Sequence, residues 1–369
     1  MLQTLYVHNF RCLENFTLDT KELSSFLLIG KNGSGKSTIS RVLEVFQSIG
    51  RGINRIRDIV SENDFSRGRS NVPIRFVLEI LLEDTLYQYE LALELPENFK
   101  ELRIAEERLS VAGKPIYSRK QAEVLIHTPH KEVSFFVDWH LVALPIIQEQ
   151  SASDPLHIFK TWLSRMIILA PVPSIITGES SGETLFPIRN GSNFGEWISG
   201  LFSRYPAAYM HVDKYLRKLM PDMQDFQNEH IGKDAKNMIV RFNENNTATL
   251  CIDFKNLSDG EKCFFLCAAL LAANKFYSPL FCFWDEPDSY LSLAEVGHFI
   301  TELRRTFEGG TSQILMTSHN PEAIRKFSSE NTFFLDRKSH LEPTLIKRLS
   351  DLRLDGDLID TLICGDLEL

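Results

Sequence analysis

Apolar and polar positions fall into blocks that mark out most of the chain's elements. "LYVHNF" and "NFTLD" each read as a short strand, and "SSFLLIG" is a third whose apolar run stops at a glycine-rich loop. A helix is expected over residues 37–48. From 71 to 137 the text becomes "PIRFVLEILLEDTLYQYELALEL" and "KPIYSR", β-rich segments separated by polar turns, as in an antiparallel sheet and unlike a βαβ repeat. Residues 141–236 look mostly helical, broken by the Pro/Gly/Ser-rich "APVPSIITGESSGETLFPIRNGSN", and read as an inserted helical lobe. "NMIVRFNE" and "TATLCIDF" then form an expected hairpin. "NLSDGEKCFFLCAALLAANK" follows as a helix that turns almost wholly apolar after its first turn, then "PLFCFW" as a strand, 293–307 as a helix and "SQILMTS" as a strand. Strands that are apolar throughout imply a sheet covered on both faces.

Composition narrows the class. A chain of 369 residues has ample sequence for a large hydrophobic core. Its net charge of -9 argues against coating by nucleic acid and confines any such contact to a local basic face. Six cysteines show no CxxC pair and no zinc-like histidine spacing, so they are expected to be reduced. Cys263 and Cys267, four apart on an apolar helix, read as small buried side chains rather than a redox pair. No export signal is recognisable, and no window approaches the ~20 apolar residues that span a bilayer. A soluble cytoplasmic protein with no membrane partner is expected.

Candidate chemistry sits in four places. "GKNGSGKS" fits G-x-x-x-x-G-K-[ST] after an apolar strand and before a helix, the context this loop requires. Backbone N–H groups of Gly30, Lys31, Asn32, Gly33, Ser34, Gly35 and Thr38 would surround phosphate, Lys36 would reach the β- and γ-oxygens, and the Ser37 hydroxyl would ligate Mg²⁺. "LFCFWDEPD" puts two acids at the end of a buried strand: Asp285 would hold Mg²⁺ through its water shell, and Glu286 would orient or deprotonate an attacking water. "ILMTSHNPE" leaves His319 at the tip of another apolar strand, as a donor to the γ-phosphate or the water. Ser258 and Glu261 fit S-x-x-E, a capping box that also prepares an anion-attracting helix end, with Gly260 allowing close approach.

In chain order, the P-loop, the LSxGE-like segment, the acid pair and the histidine resemble the ATPase heads of the ABC superfamily, and within it the RecF/OLD-like, SMC-like branch. "HNFRCLENFTLD" before the P-loop, "LSDGEK" in place of LSGGQ, "MTSHNPE", "NGSNFGEWISGLFSRYP" and "LRKLMPDMQDF" carry the likeness over nearly the whole chain. The implied fold is α/β, a P-loop NTPase head with a mixed core sheet, an antiparallel β subdomain and an inserted helical lobe. Its expected parts are an N-terminal ATPase lobe (1–140), the helical insertion (141–236), a C-terminal ATPase lobe (237–345) and an acidic tail (346–369). The resemblance implies ATP and Mg²⁺ as cofactors and catalysis by Glu286, His319 and Lys36. It also implies a homodimer, or a higher oligomer, in which Ser258 and Gly260 of one copy close over the ATP held by Lys36 of the other. Arg11 matches an arginine that touches nucleotide in SMC-like repair ATPases; the alternative is a solvent-facing strand arginine. Departures are Asp259 where transporters have glycine, Ser292 where many relatives have aspartate, and three candidate Q-loop glutamines, Gln88, Gln121 and Gln148.

The chain has no long heptad segment for a coiled-coil arm and only about 50 residues after His319, which is short for a nuclease domain. The leading expectation is therefore a nucleotide-gated dimeric switch regulating a separate effector, a nuclease or toxin, in bacterial anti-phage defence. The alternative is a RecF-like ATPase that clamps DNA in repair, and a transporter's nucleotide-binding subunit is a third reading, disfavoured by the missing LSGGQ. "RGINRIRD" and "SRGRS" concentrate basic residues, and DNA or RNA contact would run through Arg51, Arg55 and Arg57; the commoner meaning is a solvated loop. In the tail, Leu358, Ile359, Leu362 and Ile363 fall at helical spacing, to pack on their own domain or dock a partner.

Overall fold

The computed structural model describes residues 1–127, 132–231, 234–244, 248–352, 359 and 361. In chain order the elements are β1 (Leu2–His8), β2 (Phe16–Asp19), β3 (Ser25–Ile29), α1 (Lys36–Gly50), β4 (Ile74–Leu82), β5 (Thr85–Glu94), β6 (Arg103–Val111), β7 (Lys114–Lys120), β8 (Glu123–His127), β9 (Glu132–Phe136) and α2 (Pro155–Arg165). Then follow β10 (Ile167–Leu169), α3 (Phe194–Arg204), α4 (Ala208–Leu219), β11 (Met223–Ile231), β12 (Ala235–Glu244), β13 (Ala248–Asp253), α5 (Asp259–Phe276), β14 (Phe281–Trp284), α6 (Leu293–Phe307), β15 (Gln313–Thr317), α7 (Pro321–Ile324), β16 (Thr332–Asp336) and β17 (Leu345–Arg348). The chain divides into two compact units, Met1–Met166 with Phe327–Leu369, and Ile167–Lys326.

In the first unit an antiparallel sheet runs β2-β1-β4-β5-β6-β7-β8-β9. Its β2 and β4 alternate buried with more exposed residues, as strands of a sheet with one wet face must. On the covered face Phe46 of α1 and Phe159 of α2 meet Phe76 and Tyr89, with ring centres 5.6 to 6.1 Å apart. Separately, β3 pairs in parallel with β16, and β16 antiparallel with β17. Both β3 and β16 are buried at every residue, around the apolar stretches 26–29 and 333–335. β17 begins where the acidic tail was expected; Leu358, Leu362 and Ile363 lie outside the described residues, and Ile359 is buried.

In the second unit β10, β14 and β15 pair in parallel. α5 is apolar on all sides because it is covered on all sides. Phe264 approaches Phe299 of α6, while Phe265 meets Phe226 of β11 and Phe254. The expected hairpin is β12–β13, but Met223–Ile231, which fell inside the expected helical lobe, is a third strand of that antiparallel sheet. Met223 and Phe226 are three apart, a helix-like spacing, and a register shift between Met223 and Asp225 puts both on the buried face.

Candidate functional site

The glycine-rich loop of the first unit is shaped by two positions that only glycine suits. Gly30, at φ +149°, leaves β3 so close to the Leu335 carbonyl that a Cβ would lie 2.2 Å from its oxygen. Gly35, at φ +108°, has the Thr344 hydroxyl and Cys12 sulfur 2.7 and 3.1 Å from where a Cβ would stand. Thr344 Oγ1 donates to the Ser34 carbonyl at 2.8 Å, and Ser34 N donates to the Lys31 carbonyl at 3.1 Å, closing the turn. Lys36 is buried, its ammonium donating to the Gly30 and Lys31 carbonyls at 2.7 and 3.2 Å. It therefore lies folded over the loop it would share with an anion.

α1 opens with no side-chain cap and no acid in its first turn, so its positive dipole end has no local counter-charge. The buried Ser34 Oγ has no hydrogen-bond partner among the described residues. A narrow loop, a buried ammonium, an uncapped helix and an orphaned hydroxyl together fit a nucleotide phosphate. Arg11 sits in a turn after β1 rather than in a strand, at φ +50°. Its Nε donates to Asp64 Oδ1 at 2.7 Å, and its side chain is nearly half exposed.

In the second unit the parallel pairing of β14 with β15 sets Trp284 beside Met316, so the residues that follow meet at the strand ends. The Asp285 amide donates to the Leu169 carbonyl at 2.7 Å. Its carboxylate accepts from Thr317 Oγ1 at 2.6 Å and lies 3.6 Å from the Arg189 guanidinium. Glu286 adopts φ +47°, unusual for a residue with a side chain, and its amide donates to Thr317 Oγ1 at 2.9 Å. Ser289 Oγ donates to Glu286 Oε2 at 3.0 Å, and His319 Nε2 stands 3.6 Å from Glu286 Oε1. The two side chains are 45% and 43% exposed, open enough for water to reach both. Behind them Asp288 is buried, accepts from Ser318 Oγ at 3.0 Å, and has its carboxyl pushed up to about 6 by that burial. Sequence reasoning passed over Thr317, Ser318 and Asp288, although all three stand in the two motifs quoted for their neighbours.

Ser258 is exposed and caps α5 reciprocally with Glu261: its amide donates to Glu261 Oε2 at 2.8 Å, and Glu261 N donates to Ser258 Oγ at 3.3 Å. Ser292 repeats the device on α6 with Glu295, which gives the serine at that departure a structural role. Close to Gly260 runs the Tyr290 carbonyl, 3.1 Å from where a Cβ would stand. Gln88 lies in β5, Gln121 in the turn before β8, and Gln148 is exposed. Cys263 and Cys267 are buried, the first thiol pushed up to about 12 and the second raised further, which leaves both inert.

The basic segment does not present a bare cationic face. Arg51 donates to the Ser164 and Met166 carbonyls, while Arg55 and Arg57 both pair with Glu101, at 3.2 and 2.9 Å. Among the described residues no helix is long and apolar enough to cross a membrane, and no group of three acidic, histidine or cysteine side chains is arranged to hold a metal.

Comparison with known proteins follows the same lines. The family model "AAA ATPase domain" matches residues 1–130, and "AAA domain, putative AbiEii toxin, Type IV TA system" matches 196–325. No curated protein sequence matches significantly. Among solved structures, an Smc head bound to the C-terminal winged-helix domain of ScpA is 14% identical with a TM-score of 0.55, over 95% of this chain and 98% of that one. An Smc head with an extended coiled coil, bound to the C-terminal domain of ScpA derived from Pyrococcus furiosus, is 12% identical with a TM-score of 0.53, over 99% and 98%. At that identity the structural likeness speaks for the fold, which is the α/β fold of SMC head domains. The AAA-domain matches over two parts of the chain and the SMC-head fold together support an ABC/SMC-like P-loop ATPase.

Proposed function

We propose that this chain binds ATP with Mg²⁺, hydrolyses it, and uses the cycle to pair and release two copies that switch a separate effector. The observation that carries hydrolysis is the Glu286–His319 pair, 3.6 Å apart and open to water at the ends of neighbouring parallel strands. Lys36 and the loop amides would bind the β- and γ-phosphates. Ser37 and Asp285 each supply an oxygen donor of the kind a hard cation takes, and Mg²⁺ would offset the phosphate charge. Glu286 would orient the attacking water and take its proton, and His319 would donate to the γ-phosphate or the water. Arg11 would contact the nucleotide.

Dimer closure rests on the family resemblance, with Ser258 and Gly260 of one copy meeting the γ-phosphate held by the other. The exposed, capped start of α5 supports it. That the effector is a separate polypeptide is supported by the two Smc heads bound to ScpA domains, and a setting in bacterial anti-phage defence by the match to a family that includes a toxin of a toxin–antitoxin system. The cytoplasm is the proposed location.

Two variants test the core. Lys36→Ala should abolish ATP binding measured by calorimetry. Glu286→Gln should bind ATP like the parent, lose about 10²-fold or more in kcat, and accumulate as an ATP-bound dimer in light scattering. Parent-rate hydrolysis by the Gln variant would remove Glu286 from the mechanism. Co-purification with the trapped dimer would identify the effector; its absence under trapping conditions would count against the switch.

A further inference from the structure

Two buried hydroxyls at the end of β15 lie outside the roles given above, yet their hydrogen bonds run to the residues that hold them. Thr317, fully buried, donates from Oγ1 to Asp285 Oδ1 at 2.6 Å and accepts the Glu286 amide at 2.9 Å. Ser318, 1% exposed, donates to Asp288 Oδ2 at 3.0 Å and accepts the Asn320 amide at 2.9 Å. The first hydroxyl fastens the segment after β14 to the end of β15. The second fastens the turn that carries His319 to the same segment, three residues further on.

Glu286 needs such a fastening. At φ +47° its backbone occupies a region that side-chain-bearing residues seldom adopt, and strain of that kind persists only where surroundings over-determine it. Thr317 meets it from both sides, through the amide of Glu286 and the carboxylate of Asp285. Without the hydroxyl the amide loses its acceptor and the backbone can relax, turning the Glu286 carboxylate away from His319.

We propose that Thr317 is a positioning residue for hydrolysis, whose hydroxyl locks Glu286 in its strained geometry opposite His319 while aiming Asp285, with Ser318 and Asp288 holding the histidine side. This rests on Glu286 and His319 being the hydrolytic pair. It differs from a hydroxyl that merely satisfies a buried polar group, because it ties kcat to the hydrogen bond that holds the Glu286 amide and leaves the Lys36 loop that binds nucleotide untouched.

Thr317→Val keeps the side-chain shape and removes the hydroxyl, and Thr317→Ser restores the hydroxyl. Kinetics, ATP affinity and amide exchange of residues 285–289 without nucleotide should be measured on both. For Thr317→Val, kcat should fall about 10²-fold, the loss expected when a reacting group is misplaced by about 1 Å, with Kd for ATP unchanged and faster exchange at Glu286. Thr317→Ser should return all three toward the parent. A Val variant with parent kcat overturns the proposal, as does a Ser variant no better than Val, or a kcat loss with exchange unaltered at Glu286. If Thr317→Val does not fold, Ser318→Ala takes its place: about a tenfold fall in kcat at parent affinity supports the proposal and parent kcat overturns it. Should the parent itself lack ATPase activity, the hydrolytic reading falls separately. Exchange at Glu286 then decides alone, with acceleration in Val but not Ser upholding the lock and equal exchange removing it.

Discussion

Asp288 stands two residues beyond Glu286, the proposed general base, and has a different physical problem. Burial raises its carboxyl from 3.8 to about 6, the Glu286 charge adds to the rise, and the Ser318 hydroxyl opposes it. The folded state therefore binds this proton more tightly than the unfolded state does. The stabilising effect of that binding is complete below about pH 4, fades as pH rises, and is gone above about pH 6. Asp288→Asn, which keeps an acceptor for Ser318, should gain on the parent between those limits and hold a constant advantage above them, at most about 3 kcal/mol. Urea unfolding at pH 4 and pH 8 checks this; an equal difference at both pH values would exclude titration as the cause. The placing of Lys36 was legible because the carbonyls it meets, Gly30 and Lys31, belong to its own short loop. Thr317 and Asp288 were not, since their meaning depends on β15 lying beside β14, a pairing between segments about 30 residues apart.

At the scale of elements, the clearest departure from sequence pattern is β11. A bulge converts a helical spacing into one buried face, and only the partner β12 reveals it. The antiparallel sheet of the first unit holds a second feature that periodicity hides, a fully buried ion pair between Glu107 of β6 and Arg119 of β7. Glu107 accepts from the hydroxyls of Tyr89 and Tyr117 at 3.0 and 2.8 Å and from the amides of Ala143 and Leu144. Arg119 donates to the carbonyls of Gln121, Asp138 and Leu141. Burial and the Glu107 charge raise both tyrosines well above their usual range, which keeps them protonated as donors. The network ties the segment after β9 onto the sheet. Glu107→Ala strands a buried guanidinium and two amides, so it should destabilise the unit by about 3–5 kcal/mol in chemical denaturation. A loss near 1 kcal/mol, the size of one ordinary hydrogen bond, would mean that Arg119 finds other partners.

On the scale of the whole molecule, the chain leaves its first unit after Met166 and returns to it at Phe327. Lys36 belongs to the first unit, and Ser258, Glu286 and His319 to the second. The proposed dimer gives the exposed start of α5 its function. Ser258→Arg, placed on the Glu286→Gln background, should retain ATP affinity and remain monomeric by light scattering. Its cap is worth about 1 kcal/mol, too little to unfold a helix buried on every side, so loss of pairing would not be loss of fold. A dimer as abundant as that of Glu286→Gln alone would reduce the segment to a helix cap.

The sequence alone determined the phosphate loop, the strand-end acids, the histidine, the capping box and the alternating strands of the antiparallel sheet, because each depends on spacing within one short segment. The all-buried β3, β14 and β15 were legible for the same reason. Tertiary structure decided what spans distance: the Thr317 bridge from Asp285 to Glu286, the pairing of Arg55 and Arg57 with Glu101, and the bulged β11. The physical reason is common to all three. A hydrogen bond or ion pair between remote residues leaves no periodic mark on the chain, since it constrains geometry at two points rather than composition along one.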